Sequence, residues 1–192
     1  MRHLLLASSS RYRQQLLSRL RLPFDSCAPE IDETALPGES AEHLVRRLAE
    51  RKASALATRY PDSLIIGSDQ VAVLNQDILG KPHTFERAKQ QLLAASGGSV
   101  RFFTGLALLD SMNGKLQVAC VPFTVHFRTL DEARIERYLK AEQPYDCAGS
   151  FKAEGLGISL FRATEGEDVT SLVGLPLIRL VDMLLNAGVE VP

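Results

Sequence analysis

Two long apolar-rich runs in the middle of the chain, Val100 to Leu109 and Leu116 to Phe127, constrain its fold most. They are joined through Ser111-Met112-Asn113-Gly114 and read as a pair of neighbouring strands, which argues for a mixed sheet over a purely parallel one. Around them, short strands alternate with helical patterns, the signature of an α/β domain. Leu4 to Ala7 reads as a buried strand, Arg11 to Arg21 as a helix, and Phe24 to Cys27 as a second strand. Ala28 to Glu39, with its prolines and carboxylates, reads as a loop. Ser40 is placed to cap a helix reaching about Tyr60. Its apolar stripe runs through Ala41, Leu44, Val45, Leu48, Ala49, Ala53, Leu56 and Ala57.

Further along, Leu64 to Ile66 forms a short strand and Gly67-Ser68-Asp69 a break before another strand from Gln70 to Leu74. Asn75-Gln76-Asp77 is a hairpin turn into Ile78-Leu79. Thr84 caps a helix through Ala95. The capping box Thr129-Leu130-Asp131-Glu132 opens another to about Ala141. Gly157 to Phe161 reads as a strand, and Pro176 as the first residue of a last helix ending near Gly188. At 192 residues the chain suits a single domain, residues 1–192.

Composition narrows the function. A hydrophobic content of 45% and a charged content of 23% describe an ordinary globular protein. The net charge of −1 leaves no basic surplus for nucleic acid or an anionic membrane. No apolar run is long enough for a membrane span, and the apolar N-terminal stretch ends too early for a signal peptide, so a cytoplasmic setting is expected. Cys27, Cys120 and Cys147 are widely spaced and suggest neither a zinc site nor a disulfide framework. Cys147 reads as a nucleophile or as a small buried side chain.

Four segments carry candidate chemistry. Ser8-Ser9-Ser10-Arg11-Tyr12-Arg13 follows a strand and opens a helix, where hydroxyls and a guanidinium suit phosphate; it also reads as a plainly capped surface helix. Pro29-Glu30-Ile31-Asp32-Glu33 holds carboxylates suited to a hard divalent cation, or is a solvated acidic loop. Gly67-Ser68-Asp69-Gln70 places a carboxylate after an apolar strand, at the rim of a sheet, or is an acidic turn. Gly80-Lys81-Pro82 fixes a lysine between a flexible and a rigid residue, or is an ordinary surface loop. Lys52 adds a cation on the apolar face of its helix, where it snorkels or enters a cleft. Phosphoanhydride cleavage by water needs metal ligands, cations for phosphate oxygens and a base, and these segments supply all three.

Ser8-Ser9-Ser10-x-x-Arg13, the Glu33 loop, Lys52, Gly67-Ser68-Asp69-Gln70, Gly80-Lys81-Pro82, Gly149-Ser150-Phe151-x-x-Glu154-Gly155 and Val173-Gly174-Leu175-Pro176 stand in the order of the Maf family of nucleoside triphosphate pyrophosphatases. The resemblance covers nearly the whole chain. It implies an inosine-triphosphatase-like fold, an elongated mixed β-sheet flanked by helices with two lobes around a cleft. It also implies release of pyrophosphate from a nucleotide with a divalent metal, Mg2+ or Mn2+, and a possible homodimer. By position, Asp69 resembles the catalytic proton acceptor and, with Glu33, the metal site. Ser8, Arg13, Lys52 and Lys81 resemble the phosphate-contacting set.

Within the family, Tyr12, Gln70 and Glu154 resemble the branch that prefers 7-methyl-GTP over the branch acting on dTTP and UTP, which has a second arginine at position 12. The 7-methyl-GTP branch commonly carries tryptophan where this chain has Tyr12. An aromatic face attracts the cationic 7-methylguanine ring, and a carboxylate at Glu154 can accept the guanine N1–H and N2 amine together. Tyr12 also reads as packing on its helix, and Glu154 as an exposed turn residue. A non-catalytic regulator of cell division is the other class of function the resemblance brings in; a water-activating carboxylate argues against it.

Overall fold

The computed structural model describes residues 2–191. The chain runs β1 (His3–Leu6), α1 (Arg11–Leu17), β2 (Asp25–Ser26), α2 (Ala41–Ser54), β3 (Ser63–Leu74), β4 (Asp77–Leu79), α3 (Phe85–Ala95), β5 (Ser99–Asp110), β6 (Leu116–Phe127), α4 (Glu132–Glu142), β7 (Phe161–Glu165), α5 (Val169–Val173) and α6 (Leu177–Asn186). The strands form a seven-stranded sheet in the order β2-β1-β3-β5-β6-β7, with β4 paired to β3. β1 runs parallel to β2 and β3, while β4 is antiparallel to β3 and β7 to β6. The fold is therefore mixed α/β, as the long central strands require.

The chain groups into two compact units. One comprises the residues through Gln70, Thr104–Val121 and those from Asp168 on; the other comprises Val71–Phe103 and Pro122–Glu167. The first unit explains its apolar runs. Leu4, Leu6, Leu64, Ile66, Leu106 and Leu108 meet Leu16 and Leu17 of α1 and Leu180, Met183 and Leu184 of α6. Leu5, Ile65, Ala107 and Leu109 alternate with them and meet Ala49, Ala53 and Leu56 on the side of α2. A sheet covered on both faces needs apolar side chains at every position, which is why Leu4 to Ala7 shows no alternation.

Two glycines bring α2 down onto this sheet. A Cβ at Gly67 would lie 2.0 Å from Ala49 O, and one at Gly105 would lie 2.0 Å from Val45 O. Helix and strand backbones touch at both points, so neither position tolerates a side chain.

In the second unit, the ring of Phe151 packs edge-to-face on Phe102, Phe127 and Phe161, with centroids 5.4, 5.6 and 4.8 Å away. Gly149, at φ 75°, turns the chain against Phe102. Gly149 and Phe151 thus act as core packing, worth on the order of 1 kcal/mol per aromatic pair beyond burial.

Several elements differ from the sequence reading. Gly67-Ser68-Asp69 is no break: β3 runs unbroken from Ser63 to Leu74, so Asp69 lies inside a strand and not after one. Gly67 serves close packing against α2 and not a turn. The cap of α4 is Asp131, whose carboxylate accepts Arg134 N at 2.7 Å, two residues beyond Thr129. Gly157 belongs to a 3-10 turn over Leu156–Leu160, and the strand begins at Phe161. Helix α2 stops at Ser54 and tightens into turns before Tyr60. The hairpin at Asn75 and Gln76 has φ 50° and 78°, the geometry of a two-residue loop that matches strand twist. Ser40 and Thr84 cap α2 and α3 as expected.

Candidate active site

The packing of α2 on β3 sets up the site. Side chains alternate along a strand, so Gly67 and Asp69 share one face of β3. With no side chain at Gly67, the helix comes close enough for Lys52 to meet Asp69. Lys52 Nζ lies 2.6 Å from Asp69 Oδ1 and 2.9 Å from Glu33 Oε1. The Lys52 and Asp69 side chains are only 7% and 10% exposed, whereas Glu33 is 56% exposed. A buried lysine demands a partner, since an unpaired charge there is strongly disfavoured. The apolar stripe of α2 thus seats the helix while its lysine enters a carboxylate pair. Of the two readings of Lys52, the snorkelling one is not what the structure shows.

The opposite face of β3 holds a second layer. Ser68 Oγ lies 2.8 Å from Gly105 O and 2.9 Å from Gly174 O. The Gln70 amide nitrogen lies 2.7 Å from Ser171 O, 3.0 Å from Thr104 Oγ1 and 3.1 Å from Leu172 O. These bonds tie the Ser171–Gly174 segment to the sheet. Gly174, at φ 116°, then accepts a hydrogen bond at its carbonyl from Arg13 Nε, at 2.8 Å. A Cβ at Gly174 would stand 3.4 Å from that same nitrogen, which accounts for the glycine of Val173-Gly174-Leu175-Pro176. Burial pushes the Arg13 guanidinium below its ordinary pKa, and the charges of Asp69 and Glu33 oppose that shift. Arg13 thus lies within the electrostatic reach of both carboxylates.

Ser8 is buried directly after β1. Its hydroxyl accepts Ser10 N at 3.1 Å, and its carbonyl accepts Ser26 Oγ at 2.6 Å. Ser10, the cap of α1, accepts Arg13 N. The serine run thus shapes the turn from which Arg13 projects.

The sequence profile of the Maf-like proteins matches residues 3–187. The chain belongs to the Maf family. It is 73% identical over 189 residues to the 7-methyl-GTP pyrophosphatase of Pseudomonas fluorescens strain Pf-5, covering 98% of each chain. It is equally identical, over the same share of each chain, to the 7-methyl-GTP pyrophosphatase of Pseudomonas aeruginosa. The protein of that name from Nitrosococcus oceani is 58% identical, covering 98% of this chain and 94% of its own. Among solved structures, the Staphylococcus aureus Ham1 protein aligns at a TM-score of 0.47 and 14% identity over 65% of this chain and 71% of its own, a likeness too loose to inform the fold.

In this Maf protein, Ser8, Arg13, Glu33, Lys52, Asp69 and Gln70 belong to the first unit, with Tyr12 on α1. Arg11 lies over the Tyr12 ring, its guanidinium carbon 5.0 Å from the centroid, and Arg11 Nη2 donates to the Tyr12 hydroxyl at 3.1 Å. Lys81 and Glu154 belong to the second unit, both exposed, Lys81 in the segment before α3 and Glu154 in a turn. Cys147 stands near 12, pushed up first by burial and then by Asp146, which makes it a poor nucleophile at neutral pH.

Among the described residues, no cluster of three or more His, Cys, Asp and Glu side chains forms a ready metal shell. Glu33 and Asp69 nonetheless converge on one cationic nitrogen. Magnesium takes one or two carboxylates and completes its shell with water and substrate phosphates, so the pair fits such an ion. No helix of the described residues is long and apolar enough to cross a membrane.

The sequence reading missed Arg47, Arg51 and Glu39, which surround the Glu33 loop. Arg47 Nε and Nη2 donate to the two oxygens of Glu39. The available signal was the Arg47–Arg51–Lys52 row on α2, facing an acidic loop.

Proposed function

We propose that this Maf protein hydrolyses 7-methyl-GTP to 7-methyl-GMP and pyrophosphate, removing a modified nucleotide from the cytoplasmic pool. The observation that carries the reading is the buried Lys52–Asp69 pair with Glu33 beside it, in a chain so similar to proteins named for that reaction. Cleavage between the α and β phosphates needs a base for the attacking water. Asp69, walled by α2 and largely shielded from solvent, takes that role as proton acceptor. Lys52 steers the Asp69 carboxylate and offers its positive charge to the triphosphate. Arg13, held at its Nε by Gly174 O, has its remaining guanidinium N–H groups to turn to phosphate oxygens. Ser8 lies just past the C-terminal end of β1, in the same unit as Arg13 and Lys52.

Glu33 and Asp69 would hold a divalent metal, Mg2+ or Mn2+, which when bound neutralises charge on the phosphate oxygens. For the base, Tyr12 supplies an aromatic face of the kind that attracts a cationic 7-methylguanine ring, and the Arg11 guanidinium that lies over it would have to give way. Glu154 lies exposed in the second unit. Gln70 acts on this reading through the Ser171–Leu172 carbonyls it holds, and so through Arg13.

The test is a panel of 7-methyl-GTP, GTP, dTTP and UTP, each with and without Mg2+, with pyrophosphate and monophosphate measured as products. The expected outcome is fastest release from 7-methyl-GTP, dependent on the metal. Faster turnover of dTTP or UTP would refute the assignment of base.

A further inference from the structure

Glu33 sits in a segment without regular structure, yet its two neighbours are both tethered to α2. Arg47 Nη2 donates to Thr34 O at 3.1 Å, and Arg51 Nη1 makes a longer contact, 3.5 Å, with Asp32 O. Arg47 and Arg51 are four residues apart and share one side of the helix. Arg47 is itself locked. Its Nε and Nη2 each lie 2.6 Å from an oxygen of Glu39, a two-pronged geometry that a lysine cannot reproduce. Glu39 in turn accepts Leu36 N at 3.0 Å, closing the arc just before the cap at Ser40. Asp32 accepts Thr34 N at 2.9 Å and stiffens the turn on the other side of Glu33. The loop is thus pinned beside Glu33 and at its far end, and Lys52 on the same helix receives the Glu33 carboxylate.

We propose that Arg47 is a positioning residue for Glu33: by fastening the Thr34–Glu39 arc to α2, it holds the exposed carboxylate at the Lys52–Asp69 pair. The Arg47 guanidinium also holds the Glu39 carboxyl near 2, so the clamp stays ionised throughout the neutral range. The inference rests on the metal role proposed for Glu33.

The experiment compares Arg47→Ala, Arg47→Lys, Glu33→Ala and the Arg47→Ala/Glu33→Ala double variant with the natural protein. Two quantities are read: the Mg2+ concentration giving half-maximal pyrophosphate release from 7-methyl-GTP, and hydrogen exchange at the amides of residues 30–39. Arg47→Ala is expected to raise the half-maximal Mg2+ about tenfold, the lower end for a residue that orients a metal ligand. Turnover at saturating Mg2+ stays close to that of the natural protein. Exchange speeds up in the loop and stays unchanged in β1 and β3. Arg47→Lys falls between, because it keeps the charge and loses the fork. The double variant matches Glu33→Ala alone, since nothing remains to be positioned.

An Arg47→Ala effect of the same size in the Glu33→Ala background would overturn the proposal, and so would unchanged loop exchange. If Glu33→Ala alone leaves the Mg2+ requirement unchanged, the metal role of Glu33 falls. The exchange data then still decide whether Arg47 holds the loop.

Discussion

Lys52 and Asp69 form a buried ion pair, Nζ to Oδ1 at 2.6 Å, across the interface between α2 and β3. They stand seventeen positions apart in the chain. Removing one member strands the other. Lys52→Met is expected to lower stability by about 3 kcal/mol or more, because it leaves a largely buried carboxylate with its main counterion gone. Urea unfolding measures this, and a midpoint equal to that of the natural protein would show that Asp69 is satisfied some other way.

Gly67→Ala tests the contact that makes this pair possible. The new methyl would meet Ala49 O at 2.0 Å, and a helix backbone cannot move aside as a flexible side chain does. Overpacking of this kind costs about 3 kcal/mol or more, and it separates Lys52 from Asp69 as well. The variant should melt earlier and lose activity together. Full activity would mean that the helix shifts without disturbing the site.

Much of this arrangement was legible in the sequence, and the failures are instructive. The stripe on α2 and the caps at Ser40 and Thr84 depend on neighbours within a turn, so they could be read locally. A strand glycine and a turn glycine look alike in sequence, and only the helix opposite Gly67 distinguishes them. Thr129 and Asp131 both offer capping oxygens, and the choice between them depends on where α4 docks. The Arg47–Glu39 clamp was missed because a charge on a helix usually faces solvent. Helix α5 is only five residues long and is held by Asp168, whose carboxylate accepts Thr170 N and Ile178 N at 2.8 and 2.9 Å, so no periodic pattern could reveal it.

Gln70 gives a direct contrast between scaffolding and base contact. Gln70→Glu would turn a donor to the Ser171 and Leu172 carbonyls into a carboxylate facing them. The expected loss is about 1–3 kcal/mol, the penalty for buried polar groups left unpaired. Activity should fall for every nucleotide alike, because Arg13 loses its support. A change confined to base preference, with stability intact, would instead place Gln70 at the base.

Asp110 governs part of the response to acid. The Arg2 guanidinium donates to it and, against the opposing effect of burial, holds its carboxyl near 2, below the ordinary 3.8. A lowered folded-state pKa adds stability above the unfolded value, and that stability is lost as pH falls through the folded one. The pair should therefore stabilise the protein fully above about pH 4 and progressively less toward pH 2. Asp110→Asn should be less stable than the natural protein at pH 6, with the gap closing below about pH 3. A gap that stays constant across that range would contradict the assignment.

The role of Asp69 is the centre of the account, and one comparison tests it most directly. Pyrophosphate release from 7-methyl-GTP at saturating Mg2+ is measured for the natural protein and for Asp69→Asn, with thermal unfolding of both. The account predicts a loss of turnover on the order of a thousandfold, in the range for removal of a general base, in a protein that still unfolds cooperatively. Turnover within a few-fold of the natural protein would contradict it and move the water-activating role elsewhere.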